Sequence, residues 1–180
     1  AAIVPHAGLV YSGKCAAAVL GRLALPRVVV IIAPNHTGVC RSPGASLWRR
    51  GAFETALGDV PVEASFAEAL ERECDLAAHD AAAHRGEHAI EVELPFLRVL
   101  APEAAIVPIV LAWDDWTRCS QLGEALARVV RSADGDVLLV ASSDMTHYER
   151  AATARRKDDL ALATVRQLDG RALLDICQRE

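Results

Sequence analysis

Aromatic residues are scarce in this 180-residue chain, at 4% of the sequence, and methionine occurs only once. This composition argues against an aromatic-rich β-sandwich, and the abundant alanine favours helices packed on a sheet. Basic residues are outnumbered, since 19 Lys and Arg face 24 Asp and Glu for a formal net charge of −5. Because the chain also has no long basic run, we expect no nucleic-acid partner.

The sequence contains no Cys-x-x-Cys pair, which excludes zinc ribbons and thioredoxin-like redox motifs. Its five cysteines are scattered, at Cys15, Cys40, Cys74, Cys119 and Cys177. An odd number of cysteines without a signal sequence fits reduced thiols, so we expect a cytoplasmic protein. No apolar run reaches the ~18 residues that a membrane-spanning helix needs, and we expect no membrane partner.

Four short, apolar and β-branched segments predict buried parallel strands, at residues 1–4, 27–33, 104–111 and 136–141. Pro108 lies inside the third segment and predicts that this strand is at the sheet edge or contains a bulge. Helical patterns alternate with the strands, at residues 13–25, 62–74 behind Pro61, 117–131 and 151–168, with a last helix after Asp169-Gly170. This alternation predicts one α/β domain over residues 1–180, with a mainly parallel central sheet and helices on both faces.

Polar residues follow three of the four predicted strands. His6 follows the first strand, His36 the second, and Asp144 and His147 follow the last. Parallel sheets bind ligands beyond the carboxyl ends of their strands, so these side chains should share one pocket if the strands are neighbours. Two histidines and one anionic ligand form the facial site of non-haem iron centres, and a further histidine can act as acid or base.

A second histidine pattern, His84-x-x-Glu87-His88, matches the H-x-x-E-H motif of inverted zinc peptidases. That motif requires a helix, which brings the two histidines onto one face. Gly86 lies in the middle of the motif and disfavours a helix. The sequence therefore favours a loop that extends toward the pocket over a peptidase centre.

Five stretches of the chain together resemble the Memo family, whose bacterial and archaeal members are called AmmeMemoRadiSam system protein B. They occur in the family's order and cover nearly the whole chain: VPHAGLVYSG (4–13), IIAPNHTG (31–38), GEHAIEVELPFL (86–97), IVPIVL (106–111) and SSDMTHYE (142–149). The resemblance implies a fold similar to class III extradiol dioxygenases, which use non-haem iron. It also makes proteins of a radical-SAM system possible partners.

The resemblance further implies specific roles for the strand-end residues. His6 and His36 would be metal ligands, for Fe(II) or copper. Asp144 and His147 would be catalytic residues of the same pocket, and Glu87 and His88 would lie in a loop beside it. The family's usual third ligand is a cysteine in a Cys-Gly-Arg-like segment, and Cys177 is followed by Gln-Arg-Glu, which does not match.

We therefore expect the chain to be a fragment that ends before the third ligand, and to bind metal weakly or not at all by itself. Two functions stay open from the sequence. One is a metal-dependent redox or dioxygenase-like enzyme. The other is a non-catalytic adaptor that uses the same pocket to bind a small-molecule or peptide ligand.

Overall fold

A computed structural model describes residues 1–179 of the chain. Eight strands occur in this range: β1 Ala2–Val4, β2 Val28–Pro34, β3 Ala45–Leu47, β4 Ala52–Phe53, β5 Val60–Pro61, β6 Ala77–His79, β7 Ala105–Leu111 and β8 Val137–Ser142. Seven α-helices accompany them: α1 Leu9–Leu20, α2 Ala64–Glu73, α3 Ala81–His84, α4 Leu94–Leu100, α5 Trp116–Ser132, α6 Ala151–Arg166 and α7 Gly170–Arg179. None of these helices is long and apolar enough to cross a membrane.

The central sheet has six strands in the order β1-β8-β2-β7-β3-β6. Neighbours pair in parallel except β3 and β7, which are antiparallel, and β4 and β5 form a separate antiparallel pair. The prediction of an α/β fold with a mainly parallel sheet is confirmed. The four predicted strands are present as β1, β2, β7 and β8, each within one residue of its expected bounds.

The prediction that Pro108 marks an edge strand or a bulge is wrong, because β7 lies inside the sheet between β2 and β3. Ala105 N–H donates to Arg27 O on the β2 side, so the alternation of the strand turns the Pro108 nitrogen to the opposite side. There β3 has already ended at Leu47, which pairs with Ile109. The proline therefore lies where no ladder partner requires an N–H.

Two predicted helices begin elsewhere than expected. Helix α1 starts at Leu9 rather than at residue 13, because Gly8 O accepts the first helical N–H groups. Helix α2 starts at Ala64, and Pro61 belongs to β5 instead of preceding the first turn. Glu63 N–H donates to Ile106 O of β7, which keeps residues 62–63 extended against the sheet.

Both faces of the sheet are covered, as predicted. Alternate residues of β2 point to opposite faces, so Val29 and Ile31 join one apolar cluster while Val30 joins the other. The first cluster includes residues of α1 and α4, and the second includes residues of α2 and α5. Burial on both faces explains why the central strands are continuously apolar.

The position of β8 decides where the polar strand ends meet. It lies between β1 and β2, with Ser142 beside Val4 of β1 and Ala141 beside Ile32 of β2. The carboxyl ends of β1, β2 and β8 are consequently adjacent, which was the condition for a shared pocket.

Candidate metal centre

Asp144 joins the loops that follow β1 and β8. Its Oδ1 accepts hydrogen bonds from the backbone N–H groups of His6 at 2.7 Å and Ala7 at 3.1 Å. Its Oδ2 lies 3.5 Å from His147 Nε2 and 3.9 Å from His6 Nε2. The carboxylate therefore holds the His6 backbone in place and faces both imidazoles.

The His6 ring is buried and is held from behind by Ser142, the last residue of β8. His6 Nδ1 lies 2.8 Å from Ser142 Oγ, and this hydroxyl donates to Ala89 O at 2.7 Å. Burial lowers the pKa of His6 below its ordinary value, although Asp144 opposes the shift. The ring is therefore neutral near pH 7, which is the form that binds metals.

Glu87 organises the other side of the pocket. Its Oε2 accepts from His36 N–H at 2.6 Å, while its Oε1 lies 2.9 Å from His36 Nδ1 and 3.4 Å from His88 Nδ1. Oε1 also accepts from Ala89 N–H at 3.0 Å. Burial opposes ionisation of Glu87, but the hydrogen bonds from His36 and Ala89 outweigh it and hold its pKa below the ordinary value. Glu87 is thus an ionised carboxylate that orients two imidazoles.

Three imidazoles converge beside these anchors. The ring centroids of His36 and His88 are 4.8 Å apart, and the His6 centroid lies 5.1 Å from His36 and 5.8 Å from His88. The side chains of His36 and His88 are 44% and 50% exposed, whereas that of His6 is 5% exposed. The three rings therefore form a cluster, called the histidine pocket below, that is open to solvent at His36 and His88 and buried at His6.

Among the described residues, one group of candidate ligand atoms lies within 4.8 Å of one another; it comes from His36, Glu87 and His88 and does not include His6. In each of the three histidines, Nδ1 faces a protein partner, Ser142 for His6 and Glu87 for His36 and His88. Their Nε2 atoms are the nitrogens left for a ligand.

His147 lies at the mouth of the pocket, with a side chain that is 56% exposed. Its contact with Asp144 brings it to the same carboxylate that anchors His6. The structure thus gathers all six residues named from the sequence, namely His6, His36, Glu87, His88, Asp144 and His147. Their roles as ligands or proton carriers stay predictions.

The H-x-x-E-H pattern does not form a peptidase centre in the described chain. Helix α3 ends at His84, and Gly86 then takes a φ of 81°, so Glu87 and His88 lie outside the helix. The His84 ring is buried and packs edge-on against Trp48 and Phe53, and its Nε2 lies 3.0 Å from Ser46 O. His84 therefore fixes the start of the loop that carries Glu87, and its ring does not face the pocket.

Acid is expected to destabilise the fold through His84. Burial lowers the pKa of His84 to about 4. Between pH 6.5 and 4 the unfolded chain binds more protons than the folded one, so stability is lost as pH falls, by about 3 kcal/mol in total. Urea unfolding of the wild type and His84→Gln at pH 7, 5.5 and 4 measures this difference. The exposed His79, changed to Gln, is the matched control. Equal pH slopes for wild type and His84→Gln would contradict the assignment.

Three residues that support the site were not identified from the sequence. Ser142 ends β8 and contacts the His6 ring, and Ala89 contributes through its backbone N–H and carbonyl. Glu93 is 1% exposed, and burial raises its pKa to about 8. Its carboxyl contacts the Ser142 hydroxyl, and Oε1 has no hydrogen-bond partner among the described residues. The one available signal was a pair of glutamates, Glu91 and Glu93, within the otherwise apolar run AIEVELPFL, and the sequence does not say which of them is buried.

The sequence matches known proteins over its whole length. A family model described as Memo-like protein matches residues 1–180. A MEMO1 family protein of Methanopyrus kandleri is 37% identical over 98% of this chain, and one of Thermotoga maritima is 40% identical over 99%. A third, of Caldivirga maquilingensis, is 41% identical over 93%.

These alignments cover 63%, 64% and 60% of the three relatives, so the chain spans less than two thirds of their length. The family match nevertheless covers residues 1–180, and with them every strand and loop that forms the histidine pocket. On the family match over residues 1–180 and these identities, the chain belongs to the Memo family.

Proposed function

We propose that this chain provides a metal-binding, dioxygenase-like pocket, in which His6 and His36 are ligands for Fe(II) or for copper. One observation supports this assignment above the others. Three imidazoles converge at the carboxyl ends of the strands, and each has Nδ1 within 3.4 Å of a protein oxygen, which leaves Nε2 for a ligand. This arrangement of orienting acceptors behind histidines is typical of metal sites.

The chemistry of the donors fits the proposed metals. Imidazole suits iron, copper and zinc, and both Glu87 and Asp144 place carboxylates beside the imidazoles. His88 lies where it can complete a set of three nitrogens with His6 and His36. A bound ferrous ion would supply a redox-active centre with coordination positions left open for substrate.

In this proposal, His147 transfers protons and Asp144 orients it. An imidazole changes its charge near neutral pH, so it suits a general acid or base. The half-exposed position of His147 allows it to exchange protons with solvent. Asp144 Oδ2 faces both His147 and His6, and so links the proton carrier to the buried side of the pocket.

A second candidate function is the binding of a peptide or small ligand without chemistry. One observation favours it: large side chains are almost fully exposed a few residues after His6 in the sequence and beside His147. Val10 and Tyr11 are 94% and 88% exposed at the start of α1, and Tyr148 is fully exposed beside His147. Exposed apolar groups of this kind are typical of recognition surfaces.

Metal titration of the metal-free chain tests the first proposal. In keeping with the weak binding expected above, Fe(II) under anaerobic conditions, Cu(II) and Zn(II) should each bind weakly, at no more than one site per chain. His6→Ala and His36→Ala should each weaken binding by at least ~100-fold, because each removes a ligand outright. The measurement is calorimetry, with circular dichroism to confirm that the variants fold.

His79→Ala is the matched control, since His79 Nδ1 lies 3.1 Å from Leu47 O at the end of β6, apart from the three converging rings. It should bind metal as the wild type does. Unchanged stoichiometry and affinity in both His6→Ala and His36→Ala would refute the ligand assignment. Peptide binding without bound metal would then favour the second candidate.

A further inference from the structure

We propose that Ser142 is a positioning residue that keeps the proton of His6 on Nδ1, and so leaves Nε2 as the nitrogen facing the pocket. The expected effect of Ser142 on metal binding rests on the function proposed above. The position of the His6 ring proton, in contrast, is a property of the metal-free chain. Ser142 is 3% exposed and touches both the ring and the loop that carries Glu87.

The hydrogen bonds of Ser142 determine its role. A serine hydroxyl has one hydrogen and two lone pairs, and a backbone carbonyl can only accept. Ser142 Oγ lies 2.7 Å from Ala89 O, so its hydrogen is used there. Toward His6 Nδ1, at 2.8 Å, the hydroxyl can only accept, and Nδ1 must therefore carry the ring proton.

The other ring nitrogen, Nε2, has a poorer hydrogen-bond acceptor near it. His6 Nε2 lies 3.9 Å from Asp144 Oδ2, which is beyond hydrogen-bonding distance. The other oxygen of Asp144 is occupied by the backbone N–H groups of His6 and Ala7. A neutral imidazole has a single ring proton, and Ser142 at 2.8 Å offers the better acceptor for it.

Glu93 supports this arrangement from behind Ser142. Its buried carboxyl contacts the hydroxyl, and burial keeps it protonated at neutral pH. A protonated carboxyl can donate to the second lone pair of Ser142. An ionised carboxylate would instead compete with Ala89 O for the hydroxyl hydrogen. The neutral Glu93 thus leaves Ser142 as an acceptor for His6.

The test records the tautomer of His6 in the metal-free chain by long-range proton–nitrogen NMR, with the signals assigned through their loss in His6→Gln. The wild type should show Nδ1–H. Ser142→Ala should move the proton to Nε2, toward Asp144, or give a mixture of both forms. It should also weaken Zn(II) binding by roughly 10–100-fold, the usual cost of losing a group that orients a ligand.

Further variants separate positioning from a general loss of structure. Ser142→Cys keeps the volume but supplies a weak acceptor, and should shift the tautomer in the same direction. Glu93→Gln retains a donor and should keep Nδ1–H. Ser143→Ala, at the neighbouring exposed serine, should match the wild type in tautomer and in Zn(II) affinity.

An Nε2–H tautomer in the wild type, or an unchanged tautomer in both Ser142 variants, would overturn the inference. If the tautomers behave as expected but Zn(II) binds to no form of the chain, the positioning role of Ser142 stands and the proposed metal function fails.

Discussion

Ionisation of Glu93 is expected to lower the stability of the wild-type fold as pH rises, and replacing Glu93 by Gln should abolish this pH dependence. Burial raises the pKa of Glu93 to about 8 in the folded chain. Between its ordinary pKa of about 4.5 and pH 8, the folded state holds more protons than the unfolded state, so the free energy of unfolding falls with rising pH. The total effect is about 4–5 kcal/mol, complete above pH 8.

Chemical denaturation of wild type and Glu93→Gln at several pH values between 5 and 9 measures this effect. The quantity of interest is the difference in the free energy of unfolding between the two proteins at each pH. The contributions of other titrating groups, such as His84, are the same in both proteins and cancel in this difference. Glu91→Gln is the control, since Glu91 lies on the exposed side of the same turn. A difference that stays constant from pH 5 to 9 would show that Glu93 is not held protonated.

Replacing Glu87 by Leu is expected to have the largest effect on the site, because one carboxylate holds both His36 and His88. The change leaves the N–H groups of His36 and Ala89 without their acceptor and frees both rings. Metal affinity should fall by ~100-fold or more, and the fold should lose about 3 kcal/mol. Calorimetry with Zn(II) and urea unfolding measure the two effects.

The exposed Glu103, changed to Gln, removes the same charge before β7 and should leave both quantities unchanged. Glu87→Gln keeps the volume but replaces one accepting oxygen with a donor, so it should lose metal affinity with less destabilisation. If Glu87→Leu binds metal like the wild type, Glu87 does not orient the histidines.

Local sequence patterns predicted the long strands and the meeting of their polar ends. Residues 27–33 and 104–111 form apolar runs long enough to identify as buried strands, and their alternation with helices implies parallel pairing. Strands β3 and β6 were missed because their three-residue sequences, ASL and AAH, contain no β-branched apolar residue, whereas the equally short β1 has the sequence AIV. The antiparallel pairing of β3 with β7 depends on tertiary packing and has no local signal.

The site could be predicted only in part, for a similar reason. His6, His36 and Asp144 follow recognisable strands, and imidazole and carboxylate groups indicate chemistry by themselves. Ser142, Ala89 and Glu93 are informative only through their neighbours: a hydroxyl bonded to a carbonyl, a backbone amide, and a carboxyl buried by packing. Such roles depend on packing, as in the bond from Ser142 to Ala89, which joins residues 53 apart in the chain.

The two halves of the pocket differ in the sequence separation of the residues that contact each other in them. The contact between His36 and Glu87 spans 51 residues, whereas that between His6 and Ser142 spans 136 and joins β1 to β8. Loop-closure entropy and contact order both make the longer connection the slower one to form. During folding, the His36 half can therefore assemble around β2 before β1 adds at the edge of the sheet, and the buried side of the pocket is completed last.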